Sequence, residues 1–413
     1  MEEYRTYTLE ELSIGKGSYG IAASAVPFDS SLHTYLRITD INDDGTLNMC
    51  GLMSVDEDDA EKYLLRPNDI VFARTGNSTG RSYFYDGSDG KLVYAGFLIK
   101  FSLDSTKVNP RILKYYTHFK PYYDWVQSFG TGSTRGNINA KTYGNMPITL
   151  PPRDIQDKIV DILKSLDDKI EVNKQINDNL EQQAQALYMS YFISYSPLAD
   201  QVFIDSELGK IPHGWRVGTL AEVGEIVGGS TPSKSKSEYY TDKGIAWITP
   251  KDLSVSKEKF IAKGEIDITE LGYKSCSTKL LPKGAVLFTS RAPIGYISIA
   301  KNEVCTNQGF KSIVPKLAGT AFLYYFLKSK TKDIENMATG STFKEASGYL
   351  MKSLRLAIAP QYYYDMFEEL VEPILTKQSA LEHESHRLAE LRDTLLPRLM
   401  SGELKVNEIE QSI

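Results

Sequence analysis

Thr131-Gly132-Ser133-Thr134 is followed, 208 residues on, by the same four letters as Thr339-Gly340-Ser341-Thr342. Pro152 returns as Pro360 at that offset, and Leu166, Leu180 and Leu187 answer to Ile374, Leu388 and Leu395 without a gap. Upstream the match runs on through small insertions. Thr8-Leu9 echoes Thr219-Leu220, Ile38-Thr39-Asp40-Ile41 echoes Ile248-Thr249 with Asp252-Leu253, and Pro67 through Phe72 resembles Pro282 through Phe288. Gly96-Phe97 matches Gly309-Phe310, and Tyr115-Tyr116 matches Tyr324-Tyr325. One order of landmarks, met twice along 413 residues, makes the chain an internal duplication.

Each repeat has two textures. Its first ~150 residues hold short β-type runs, such as Asp69-Ile70-Val71-Phe72-Ala73 and Ala285-Val286-Leu287-Phe288, parted by Gly, Asn, Asp and Ser. Short helices are expected over 111–119 and 320–329. The remainder follows a helical period: Ile159, Ile162, Leu166, Ile176, Leu180 and Leu187 form one seam, interrupted by Lys169, Asn173 and Gln183. Phe367, Leu370, Ile374, Leu381, Leu388, Leu391 and Leu395 form the other. Alternating steps of three and four argue for coiled-coil helices. An amphipathic helix lying on a core shows the same spacing. Two equal helices, each too long for a small core, favour pairing with each other. The first, over about 155–190, would run ~54 Å, and Pro373 should kink the second.

The expected fold class is therefore α+β. Two strand-rich domains, 1–150 and 201–360, are joined by two long antiparallel coiled-coil helices, a central one within 151–200 and a C-terminal one with its tail in 361–413, in a pseudo-twofold duplication. A rod with a domain at each end is the expected outline. The apolar seam residues outnumber what one helix pair buries, so partner helices should cover the rest.

Composition narrows the function. Hydrophobic residues make 41% of the chain, too many for wholesale disorder. Cys50, Cys276 and Cys305 are odd in number and far apart, which gives neither a disulfide framework nor a metal knuckle and fits a reducing cytoplasm. The acidic start Met1-Glu2-Glu3 is unlike a signal peptide, and no run approaches the length of a membrane helix. Net charge is −6, but unevenly spread. Residues 1–150 carry 15 basic and 18 acidic side chains (−3), 151–210 carry 6 and 11 (−5), 211–360 carry 21 and 13 (+8), and 361–413 carry 5 and 11 (−6). A basic block of this size is the footprint of polyanion binding, with a solvated lysine-rich surface as the alternative.

Several motifs look catalytic and fail on context. Gly15-Lys16-Gly17-Ser18-Tyr19-Gly20 matches GxGxxG, yet Leu12-Ser13-Ile14 is too short and polar for the buried strand a dinucleotide site requires. Asp40, Asn42, Asp44 and Gly45 open like a calcium loop whose twelfth position is Gly51 instead of glutamate. Phe129-Gly130-Thr131-Gly132 faintly resembles the glycine motif of adenosylmethionine-dependent methyltransferases. No Asn/Asp-Pro-Pro-aromatic motif accompanies it: Pro151-Pro152 lies between Leu150 and Arg153. P-loop, HExxH and GxSxG motifs are absent, and His383 and His386 read as a solvated helix face. No catalytic residue and no metal site is expected.

The repeated strand-rich domain plus long helix resembles the specificity (S) subunits of type I restriction–modification systems. The markers are Leu208-Gly209-Lys210-Ile211-Pro212-His213-Gly214-Trp215, Thr-Gly-Ser-Thr twice, Leu150-Pro151-Pro152, Asn307-Gln308-Gly309-Phe310 and Leu395-Leu396-Pro397-Arg398-Leu399. Each is short; their order and duplication make the match specific. The resemblance implies two target-recognition domains, each reading one half of a bipartite site in double-stranded DNA. It implies helices that serve as spacer and as platform for two modification (methyltransferase) subunits, with restriction (motor-nuclease) subunits as further partners. Cofactors would belong to the partners: S-adenosylmethionine for methylating adenine N6, ATP and Mg²⁺ for cleavage. This sequence departs from the family in opening directly on the first domain, and in that domain's slight acidity, which leaves phosphate attraction partly to a partner.

Base and phosphate readers need Arg and Lys for guanine, Asn and Gln for adenine, and Ser and Thr for phosphates or either base. The loops offer Lys16, Ser18, Tyr19, Arg37, Arg74, Thr75, Asn77, Ser78, Arg81 and Arg135 in the first domain. In the second they offer Ser230, Thr231, Lys234, Lys236, Lys251, Ser290, Arg291, Asn307, Gln308, Lys311 and Lys344. The competing classes are a stand-alone DNA-modifying enzyme, whose motifs are missing, and a coiled-coil scaffold for a non-DNA ligand.

Overall fold

Residues 4–49, 51–129, 136–256, 258–340 and 344–406 are described in the structure, a computed structural model. Contacts divide the chain into Met1–Ile170 with His386–Ile413, and Glu171–Ser385. In the first unit the strands are β1 (Arg5–Thr8), β2 (Ser18–Tyr19), β3 (Val26–Pro27), β4 (His33–Leu36), β5 (Met53–Val55), β6 (Asp69–Ala73), β7 (Ser82–Tyr85), β8 (Leu92–Tyr94), β9 (Leu98–Ser102) and β10 (Pro147–Leu150). One sheet runs β2-β9-β6-β7, another β3-β5-β4-β8 with β4 parallel to β8, and β1 pairs antiparallel with β10. The central strand β6 is buried at all five positions. Ile70 and Phe72 enter one core and Val71 and Ala73 another, the two-residue alternation of a strand covered on both faces.

The second unit repeats this plan with β11 (Phe203–Ser206), β12 (Gly209–Pro212), β13 (Arg216–Thr219), β14 (Gly224–Gly228), β15 (Tyr240–Thr241), β16 (Ile245–Ile248), β17 (Phe260–Ile261), β18 (Asp267–Ile268), β19 (Val286–Ser290), β20 (Ile294–Ala300), β21 (Cys305–Thr306), β22 (Lys311–Pro315) and β23 (Arg355–Ile358). Its sheets are β14-β22-β19-β20-β17 and β15-β18-β16-β21, with β16 parallel to β21 and β13 antiparallel to β23. Strand for strand, that is the order of the first unit, with β17 added at one edge and the hairpin β11–β12 placed before it.

Local chemistry repeats too. The Thr8 amide donates to the Glu11 carboxylate at 2.6 Å and the Thr219 amide to Glu222 at 2.8 Å, the reciprocal cap of a helical turn. Ahead of each central strand the chain turns through a left-handed residue, Asn68 (φ 75°) or Gly284 (φ 85°), the two residue types that tolerate it best. Gly20 and Gly229 lie where a β-carbon would stand 2.2 Å from Tyr94 O and 2.1 Å from Asn307 O, so no larger residue passes there.

The two long helices span Arg153–Phe192 and Gln361–Ser401, each about 60 Å at 1.5 Å per residue. Within the second unit Asn173 donates to Glu384 at 2.9 Å and Gln378 donates to the carbonyl of Asn177 at 3.2 Å, so one number rises as the other falls and the helices run antiparallel. In the first unit Arg392 reaches Asp167 at 2.9 Å, and Ile159 and Leu163 share a core with Leu396, Leu399 and Met400.

Some elements differ from expectation. The short helix near residue 111 starts on Pro110, where Asn109 caps it by accepting from Arg111, and ends at Tyr116. The later helix extends from Thr320 to Met337, because Ile334 is fully buried and holds its last turns. The C-terminal long helix is continuous through Pro373. The apolar seams are only partly those the periodicity picks out. Ile176, Leu370 and Leu391 are exposed, whereas Asn173 and Gln378 are buried. The middle of the helix pair meets through amides and carboxylates, which a count of apolar spacing does not register.

Candidate nucleic-acid interface

In the first unit the candidate readers gather where β6 ends. Arg74 follows that strand, and its guanidinium lies 4.9 Å from the Tyr19 ring centroid. Its Nη2 reaches Asn137 Oδ1 at 3.5 Å. The Tyr19 hydroxyl accepts from the amide of Ala140 at 3.1 Å, which fixes the ring. Ser18 on β2 shares a 2.9 Å hydrogen bond with the Tyr94 hydroxyl, and Lys16 is exposed just before it. Thr75 pairs with Asn137 across a bridge, and Asn77 is exposed in the tight turn that follows.

Two cations of this unit are already paired. Arg37 holds Asp40 through Nε at 2.9 Å and Nη2 at 2.7 Å, and the bond pushes the guanidinium pKa up. The same pair occupies the carboxylate that opens the calcium-like loop. Arg81 Nε lies 2.6 Å from Asp43, and its Nη1 donates to the carbonyl of Ile41 at 3.0 Å. These two arginines brace loops. Ser78, 9% exposed, lies buried inside the turn. Arg135 lies outside the described residues, as does the first Thr-Gly-Ser-Thr.

In the second unit Thr231, Lys234, Lys251, Asn307 and Gln308 line one cleft of about 630 Å³, together with Tyr240, Trp247 and Glu265. Thr231 hydrogen-bonds to Gln308, which ties the loop after β14 to the loop after β21. The indole of Trp247 donates to the carbonyl of Ser230 at 3.1 Å. In the first unit the Tyr35 hydroxyl donates to the carbonyl of Ile21 at 3.0 Å. Each carbonyl belongs to the residue after the close-approach glycine, so an indole and a phenol clasp the same point of the frame. Lys236 lies over the Tyr239 ring at 5.1 Å, and Lys251 pairs with Glu265 at 2.6 Å, a contact that raises its pKa.

A second cluster stands at the end of β19. Glu345 lies between Arg291 at 3.7 Å and Lys311 at 3.2 Å, and Lys344 reaches the carbonyl of Glu335 at 3.5 Å. Ser290 is fully buried, with its hydroxyl on the carbonyl of Gly309 at 3.1 Å, so it forms the strand end and presents nothing to a ligand. Asn307 accepts from the amide of Gly309 at 2.8 Å and shapes the turn that displays Gln308. The register also shifts one sequence match. Ala73 faces Leu98 and Thr289 faces Phe310, so Leu98, not Phe97, stands where Phe310 does.

Sequence reasoning missed Asn137, Glu345, Tyr35 and Trp247. For Asn137 and Glu345 a signal existed: they stand 208 residues apart, the offset of the repeat. Among the described residues no group of His, Cys, Asp and Glu has the arrangement of a metal site. Among the described residues no helix is long and apolar enough to cross a membrane.

Comparison with known proteins places this architecture. Residues 33–182 and 212–362 match the family described as the type I restriction modification DNA specificity domain, one match in each repeat. The HindI specificity subunit of Haemophilus influenzae is 26% identical over 465 aligned positions, which cover 96% of this chain and 99% of that protein. The MjaIX specificity subunit of Methanocaldococcus jannaschii is 45% identical over 157 residues, covering 37% of this chain and only 36% of that relative. The solved S subunit of a type I system from M. genitalium shares the fold at a TM-score of 0.57 and 16% identity, over 97% of this chain and 96% of that one.

Proposed function

Because the chain belongs to the type I restriction–modification DNA specificity family, and is thus a non-catalytic DNA sequence-recognition subunit that assembles with DNA and other subunits of such a system, we propose that its two repeats read the two halves of a bipartite duplex target. The observation that carries this reading is the duplicated frame. Two sheets of the same order each bring cations and amides to the end of the central strand and to the neighbouring loops. Two similar readers on one chain suit two separate half-sites. Arg74 with Tyr19 and Lys16 serve one half. Thr231, Lys234, Lys251 and Gln308, with Arg291 and Lys311, serve the other. The target-recognition domains are taken as 1–150 and 201–360.

The long helices are the platform for two modification subunits and for restriction subunits. Val172, Ile176 and Met189 on the central helix and Leu370 and Leu391 on the C-terminal one expose apolar side chains that favour such docking. S-adenosylmethionine, ATP and Mg²⁺ are held by those partners, and methyl transfer to adenine N6 takes place on them.

The test is an adenine methylome read by long-read sequencing in a host free of adenine methylation. The host expresses the modification subunit of the same system with and without this chain. A two-part motif with an unspecified central gap, present only with the chain, is the expected result. Absence of chain-dependent methylation, with both proteins soluble, would overturn the reading in favour of a scaffold for a non-DNA ligand.

A further inference from the structure

The clusters at the ends of β6 and β19 stand on one backbone frame and carry different side chains. The carbonyl at the end of the central strand accepts from a returning loop in both units: Ile138 N to Arg74 O and Ala346 N to Ser290 O, each at 2.9 Å. The amide of the same strand residue donates to Phe97 O at 3.1 Å in one unit and to Gly309 O at 2.7 Å in the other. Ile138 and Ala346 are fully buried, which pins the loop. The residue just before each is turned toward an arginine: Asn137 toward Arg74, Glu345 toward Arg291 and Lys311. Asn137 is exposed, and the Glu345 side chain keeps 39% of its surface.

We infer that Asn137 and Glu345 are equivalent specificity-determining residues, and that they make the two domains prefer different bases at the corresponding step of their half-sites. The inference rests on the DNA-reading assignment above. An amide offers one donor group and one acceptor, the pair that matches adenine N6–H and N7 in the major groove. A carboxylate only accepts. Glu345 therefore selects a base that presents an amino group in the major groove, cytosine above all, and is repelled by the O6 and N7 acceptors of guanine. Arg291 and Lys311 on either side hold the carboxylate in place and offset its charge. A shared backbone position that carries an amide in one copy and a carboxylate in the other, each near a guanidinium, is where two copies of one reader diverge in what they read.

The experiment compares the methylome directed by the wild-type chain with those of Glu345→Gln and Asn137→Asp, each co-expressed with the modification subunit. Glu345→Gln keeps the size and adds a donor; Asn137→Asp removes one. Each variant should change the preferred base at one position of one half-site by at least about tenfold in methylated fraction. The other half-site should stay as in the wild type, and the two variants should affect different halves. Unchanged preference at every position in both variants overturns the inference. So does an even loss of methylation across the motif while the variant still co-purifies with the modification subunit and melts as the wild type does. If the wild-type chain directs no motif at all, the DNA-reading assignment itself has failed, which is a separate outcome.

Discussion

Arg74 and Arg37 stand in one unit and do different work. Arg74 rests on an aromatic face with its guanidinium beside Asn137, whereas Arg37 is gripped by a carboxylate that is almost fully buried. Arg74→Ala should weaken binding to one half-site by roughly 1–3 kcal/mol at fixed salt, whereas Arg37→Ala should lower the melting temperature and leave half-site preference intact. Equal loss of DNA affinity in both variants, with equal melting, would contradict this division. Glu382 gives a pH-dependent case. It faces Glu258 and Lys259 across a cavity of about 220 Å³ that Glu181, Lys328, Tyr324 and Gln378 also line, and burial pushes its carboxyl up to about 7. Glu181 is held down to about 2 by Lys259 and Lys328 against the opposing effect of burial. A carboxyl raised in the folded state stabilises below its unfolded value near 4.5 and loses that contribution as pH rises through 7. Glu382→Gln, which keeps the acceptor for the Lys259 amide, should therefore raise the melting temperature at about pH 8 and change it little at about pH 4. Melts at the two pH values decide it. Which cations were engaged was not legible in the sequence. Arg74 and Arg81 differ in what the fold brings beside them, Tyr19 and Asn137 for the one, Asp43 and the Ile41 carbonyl for the other.

At the scale of the element, each close-approach glycine sits beside strand carbonyls that cannot swing away as a side chain could. Gly229→Ala should destabilise the protein by about 1–3 kcal/mol, while Gly228→Ala, one residue earlier with nothing within 4 Å of its β-carbon, should cost less. Chemical denaturation of the two variants reads the difference directly. Strands and helices were largely visible in advance. Ile70–Ala73 and Val286–Phe288 are too uniformly apolar to lie anywhere but inside, and the long helices announced themselves by period. The inner face of the helix pair was only partly visible. Periodicity placed both Ile176 and Asn173 on the seam; Ile176 is exposed, whereas Asn173 goes inward, where Glu384 and Ser385 on the opposite helix receive it.

For the molecule as a whole, duplication of the frame contrasts with asymmetry of charge. The block 211–360 carries +8 and the block 1–150 carries −3. In the loop after the close-approach glycine the first repeat reads Ile21-Ala22-Ala23-Ser24-Ala25, the second Ser230-Thr231-Pro232-Ser233-Lys234. The second domain should then supply more of the phosphate neutralisation. Lys234→Gln with Lys236→Gln should flatten the plot of log affinity against log salt by about 2, and Lys16→Gln by about 1. Equal slopes for all variants and the wild type would show that the partners supply the electrostatic attraction. The repeat itself was legible because its landmarks keep a fixed offset. Its finer alignment was not, since only strand register shows Leu98 in the place of Phe310.

The clasp on the glycine loop is a phenol in one repeat and an indole in the other. The chain has three tryptophans, and only Trp247 lines the cleft of the second unit; Trp125 and Trp215 belong to aromatic stacks. One domain thus carries a fluorophore in the wall of its proposed reading cleft, where the other has a phenol. Emission that shifts on adding duplex, and no longer shifts in Trp247→Phe, would report occupancy of one half-site by itself, without a dye attached to either molecule.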